Sequence, residues 1–118
     1  MKYLCLIYNQ EKNLDGLSKA EWNSLKEEYF AFSDGIRSSG HLLEGEGLQS
    51  IREARTVRVR GGKVSATDGP FAETNEQLGG YYLIEARDLN DAIQVASRIP
   101  SARMGSIEVR PIWELERK

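Results

Sequence analysis

A β-strand that is apolar on both of its faces persists only where both faces are covered, and this chain opens with one. From Lys2 to Tyr8 the alternate sets Tyr3, Cys5, Ile7 and Leu4, Leu6, Tyr8 are all apolar or aromatic. Side chains alternate across a strand, so neither face can be the solvent face. The fold must therefore supply two covers for one strand, and the rest of the chain shows where the first comes from.

Residues 18–39 carry a helix pattern. Ser18-Lys19-Ala20-Glu21 forms a capping box. Trp22, Leu25, Tyr29, Phe32 and Ile36 then recur every three or four residues and make one apolar stripe, expected to pack on the sheet. Gly40 supplies the stop. A short strand is expected around 41–49, with Gly45-Glu46-Gly47 marking a bend or bulge in it. Residues 55–66 read as a hairpin, with Val57 and Val59 alternating against Thr56, Arg58 and Arg60, and Gly61-Gly62 as the two-residue turn. A polar loop over 67–78 leads to a strand over 79–86. A second helix is capped by Asp88, turns Leu89, Ala92, Ile93 and Ala96 inward, and stops before Pro100. A last strand covers 106–113.

Strand, helix, strand, hairpin, strand, helix, strand is the split βαβ plan with an insertion: an α+β, ferredoxin-like βαββαβ fold. The 118 residues make one domain, 1–118, with enough chain for a single core. Two helices cover one face of such a sheet. The other face, holding half of the first strand and one of the adjacent Tyr81 and Tyr82, needs a cover that a second copy of the same surface can give. A homodimer burying more than ~1,200 Å² is the expectation.

Charge and composition narrow the function. A formal net charge of -2 attracts neither nucleic acid nor an anionic membrane, so neither is expected as a direct partner. No apolar run is long enough to span a bilayer, and the first residues lack the pattern of a signal peptide. A single cysteine, Cys5, allows no internal disulfide and agrees with the reducing cytoplasm. There is no Cys-x-x-Cys, no phosphate-binding glycine loop with its lysine and no Gly-x-Ser-x-Gly elbow, so no cofactor and no metal site is expected.

The candidate chemistry lies elsewhere. Asp68-Gly69-Pro70-Phe71 is a stiff corner that can hold a carboxylate beside a cleft as a base or acceptor. His41 is the single histidine and a proton carrier by type. Arg58 and Arg60 share one face of the hairpin and could anchor a small anionic ligand. Tyr81 or Tyr82 could donate a hydrogen bond in the same cleft.

The stretch from Asp68 to Tyr82, its continuation Leu83-Ile84-Glu85-Ala86-Arg87-Asp88-Leu89, and the closing Ser106-Ile107-Glu108-Val109-Arg110-Pro111 resemble the YCII-related proteins of the DGPF type. Met1 to Tyr8 and Gly45-Glu46-Gly47-Leu48 fit as well, so the resemblance spans nearly the whole chain. It implies a dimeric ferredoxin-like α/β barrel. It also implies a regulatory setting, since such proteins accompany extracytoplasmic-function sigma factors; a non-enzymatic module docking on a sigma factor is the alternative to a small-molecule site. The resemblance implies a histidine–aspartate pair whose aspartate is Asp68. Its histidine has no counterpart on the first helix, where the register places Tyr29.

Overall fold

The computed structural model describes residues 1–116. Strand β1 (Lys2–Asn9) is followed by a short helix α1 (Glu11–Asp15) and the long helix α2 (Lys19–Ser38). Then come β2 (Leu42–Gly47), the hairpin strands β3 (Arg55–Arg60) and β4 (Lys63–Asp68), β5 (Gln77–Glu85), α3 (Leu89–Ser97) and β6 (Ser106–Pro111). The main sheet has the order β2-β5-β1-β6 with every neighbouring pair antiparallel. That is the ferredoxin-like arrangement expected from the element order: each helix connects two strands between which a third is inserted.

Alternation in β1 is strict. Tyr3, Cys5 and Ile7 are buried under the helices with Tyr82 and Ile84 of β5, while Leu4, Leu6 and Tyr8 face the other way and are half-buried. A bulge at Gly79 breaks the register, Ile7 pairing with Gly80 but Tyr8 with Leu78. Gln77 thereby turns to the helix side, where its Oε1 accepts from the Glu11 amide at 3.0 Å. In β2 the irregularity falls at Leu43, between the Leu42 and Glu44 pairings, and not in the Gly45–Gly47 stretch.

The Ser18–Glu21 capping box starts α2, with Ser18 Oγ accepting from the Glu21 amide at 3.1 Å and Glu21 Oε1 from the Ser18 amide at 2.9 Å. Leu25 and Ile36 are buried, and Phe32 meets Tyr82 edge to face with ring centroids 5.2 Å apart. Trp22, the first member of the expected stripe, is 44% exposed. It stands beyond the end of the core. The second helix also corrects the expectation: Ala92, Val95 and Ala96 are buried, whereas Leu89 and Ile93 are exposed. Its apolar residues span a wide arc, and the helix comes closest where alanines leave room. The last strand ends at Pro111, and Trp113 is exposed. Helix α1 had no signal, being a single turn without a side-chain cap.

The hairpin came out as expected, with Gly61 and Gly62 at φ of 56° and 77° in its turn. Among the described residues it joins no other strand, and the molecule measures 51 × 48 × 19 Å. Val57, Val59 and Val64 on it are 57–72% exposed. We refer to β3–β4 as the arm.

Cys5 is fully buried, and desolvation pushes its thiol up to about 11. The folded chain holds that proton more tightly than the unfolded one, whose thiol titrates near ~8.5. The resulting stability is present below ~8.5 and is lost as pH rises toward 11. A thiol reagent at pH 8 should leave the native protein unlabelled and react at the rate of unfolding. Rapid native labelling would contradict this burial.

Candidate functional site

A cleft of about 690 Å³ opens between α2 and the β2 margin of the sheet. Its floor owes its depth to glycine. A methyl group on Gly45 would come within 2.5 Å of Tyr82 Cδ1, and one on Gly80 within 2.9 Å of the Glu46 carbonyl oxygen. The missing side chain at Gly45 leaves that space to the Tyr82 ring, which lines the cleft. Leu25, Tyr29 and Ser33 of α2 form one wall, and Trp22 and Phe30 stand at the mouth with Leu48.

The polar groups at the bottom are almost all neutral hydroxyls. Ser33 Oγ and the Tyr82 hydroxyl are hydrogen-bonded at 2.7 Å, and the Tyr29 hydroxyl bonds Ser101 Oγ. Asn9 Nδ2 donates to the same Ser101 oxygen at 3.3 Å. Asn9 is 7% exposed, and its Oδ1 is the one buried side-chain oxygen or nitrogen among the described residues without a partner. Burial raises both phenols: for Tyr29 it outweighs the Ser101 hydrogen bond, for Tyr82 the Ser33 hydrogen bond. Both therefore keep their protons at neutral pH and serve as hydrogen-bonding groups. Glu11 is an acid at the rim, and its carboxylate is already engaged, accepting from Ser50 Oγ at 2.7 Å and the Ile51 amide at 3.0 Å.

The sequence candidates lie apart from one another. Of the adjacent tyrosines, Tyr82 faces the cleft. Tyr81 turns to the open sheet face and donates to Glu44 Oε1 at 2.8 Å, a bond to a carboxylate that raises its pKa. Arg58 and Arg60 are exposed on the arm, and neither lines this cleft. Asp68 ends β4 with its side chain 91% exposed, 3.1 Å from Arg55 Nε. The corner after it is stiff as expected: Gly69 has φ 94°, its amide donates to the Ala54 carbonyl at 2.8 Å, and its carbonyl accepts from Thr56 Oγ1 at 2.8 Å. Phe71 is 81% exposed, so the motif stands at the arm's root and does not line the cleft.

His41 stands at the opposite end of the sheet, in a shallow depression with Ser39, Arg87 and Asp91. Its Nε2 lies 3.1 Å from Asp91 Oδ2 and its Nδ1 2.7 Å from Ser39 Oγ. Asp91 also accepts from the Arg87 amide at 3.0 Å, and this bond, followed by those from His41, holds its carboxyl below the ordinary range. Hydroxyl, imidazole and carboxylate are hydrogen-bonded in series: with His41 Nε2 donating to the Asp91 carboxylate, Nδ1 of the neutral ring accepts from Ser39 Oγ, whose oxygen also lies 3.2 Å from the Ile36 carbonyl in the last turn of α2. The serine is a cap of α2, and the trio fastens the end of α2 to the start of α3.

Sequence reasoning missed Asn9, Ser33, Ser101 and Trp22 as cleft residues. A partial signal exists on α2, where Lys26, Phe30, Ser33 and Arg37 repeat at spacings of four, three and four beside the core stripe. Nothing local marks Asn9 or Ser101, which are 92 residues apart in sequence.

The fold and the cleft place the molecule among small α+β proteins with a four-stranded antiparallel sheet and helices on one face. Within that class the chain belongs to the YCII-related family, whose domain matches residues 1–116. It is 36% identical over 114 residues to an uncharacterised protein of Rhizobium meliloti (strain 1021), covering 95% of this chain and 92% of that protein.

Proposed function

We propose that the cleft binds a small, largely apolar molecule with one or two hydrogen-bonding groups, and that the binding unit is a homodimer formed through the open sheet face. The observation carrying the ligand reading is the glycine floor beneath a 690 Å³ space that ends on protonated hydroxyls. Pockets of ~300–1,000 Å³ with apolar walls and a few placed polar groups are where small ligands bind. Neutral phenols favour recognition over proton transfer. The dimer reading rests on Leu4, Leu6, Tyr8, Tyr81 and Leu83, which form an apolar band that no helix among the described residues covers.

Screening small aromatic and alicyclic fragments by amide and indole NMR shifts tests the ligand reading. Binders should perturb Gly45, Gly80, Ser101 and the Trp22 indole together. Trp22→Ala should weaken them by about tenfold without unfolding the protein, because an aromatic anchor at a pocket mouth contributes on the order of 1–2 kcal/mol. Shifts confined to the open sheet face would sink the assignment.

A further inference from the structure

We infer that the arm is a clasp for a second copy of this chain, laying its valine face on that copy and holding its arginines over the acidic β2 margin. This rests on the homodimer proposed above and adds to it a contact that the sheet face does not require.

The register separates the arm into two unlike faces. Val57 pairs with Ala66 and Val59 with Val64, so these four share one face; Thr56, Arg58, Arg60, Lys63, Ser65 and Thr67 share the other. An isolated two-stranded ribbon is marginal in water, and three exposed valines do not stabilise one. The arm leaves the main sheet where β2 ends at Gly47 and returns where β5 begins at Gln77. Its root is pinned by Glu11 through Ser50 and Ile51, and by Gly69 through Ala54 and Thr56. A pinned root with a bare apolar blade is built to lie against something.

Charge chooses the occupant. Arg55 is answered by Asp68, but among the described residues no carboxylate pairs with Arg58, Arg60 or Lys63 on the arm. The open sheet face has the opposite sign at its edge. Glu44 pairs with Leu83 and Glu46 with Tyr81 in the register, so both carboxylates border the apolar band. A ribbon resting its valines on the outer part of that band in a second copy brings its long arginine side chains around to Glu44 and Glu46 there. The arrangement is reciprocal under two-fold symmetry, each copy giving an arm and receiving one.

Sedimentation equilibrium on the full chain and three double variants tests the clasp. All altered positions are exposed, and circular dichroism checks that each variant folds. The parent should be dimeric at micromolar concentration. Val59→Asp with Val64→Asp, and separately Arg58→Glu with Arg60→Glu, should weaken the dimer by at least about tenfold. Glu44→Lys with Glu46→Lys should do the same, and an equal mixture of the two charge-reversed proteins should regain a heterodimer. A valine variant within about twofold of the parent would overturn the clasp while leaving the sheet-face dimer standing. Failure of the mixture to recover would overturn the placement over β2. A monomeric parent would overturn the clasp and the dimer together.

Discussion

Adding one methyl group at Gly105 is expected to be the most damaging small substitution in this protein, lowering stability by about 3 kcal/mol or more. A Cβ at this position would lie 2.0 Å from the Tyr8 carbonyl oxygen and 2.9 Å from Asn9 Oδ1. Gly105 precedes β6 at Ser106, which pairs with Tyr8, so the obstacle is the backbone of the central strand. A flexible side chain could swing away; a paired strand can yield only by breaking its ladder. Against a typical total of ~5–15 kcal/mol, such a loss leaves the fold marginal. Urea unfolding followed by circular dichroism measures it directly. Gly35→Ala is the matched control, since nothing lies within 4 Å of a methyl group there. That helical position should gain up to ~1 kcal/mol. A Gly105→Ala protein within 1 kcal/mol of the parent would mean that β6 does not cross Tyr8 as described.

Gly105 also shows what the sequence could not disclose. Elements made by local periodicity were legible: the alternation in β1, the capping box of α2, the Gly-Gly turn of the arm and the Asp88 cap of α3. The split order of strands followed from those elements, because few topologies accommodate them. Three-dimensional coincidences were not legible. The approach of Gly105 to Tyr8 joins residues 97 apart, and the Asn9–Ser101–Tyr29 chain joins three elements. Helix α3 failed for a related reason: its apolar arc is wider than the face it buries, and packing chose the alanines over Leu89 and Ile93. The Asp68 corner was read correctly as rigid, since glycine and proline speak for themselves locally. Its distance from the cleft depends on the arm's course, which no local pattern encodes. His41 was visible as a residue, but its partner Asp91 was not, because only the fold brings the end of α2 to the start of α3.

The apolar band on the open sheet face leads to the second large effect: Leu6→Glu should convert the proposed homodimer into a monomer at tens of micromolar. Leu6 sits at the band's centre, paired with Tyr81 on one side and Glu108 on the other. In a face-to-face dimer a carboxylate there enters a desolvated centre twice, once from each copy, beside the Glu108 carboxylate, which already engages the neighbouring Arg110. Removing an anchor from the middle of an interface costs ~2–4 kcal/mol, and a buried unpaired charge adds to that. A dissociation constant raised by about a thousandfold corresponds to ~4 kcal/mol. In the isolated chain the same substitution is mild, because Leu6 is only half-buried there and its carboxylate can reach water. Assembly and folding therefore respond differently, and the two readouts keep the result interpretable. Light scattering should report about 13.3 kDa for the variant and twice that for the parent, while the fold seen by circular dichroism is retained. A Leu6→Glu protein that remains dimeric would show that the copies meet elsewhere, and the apolar band would need another cover. In a monomeric Leu6→Glu protein acid should restore the dimer, since protonating the introduced carboxylate removes the charge. Recovery as pH falls toward 4 would trace the defect to that charge and not to lost leucine packing.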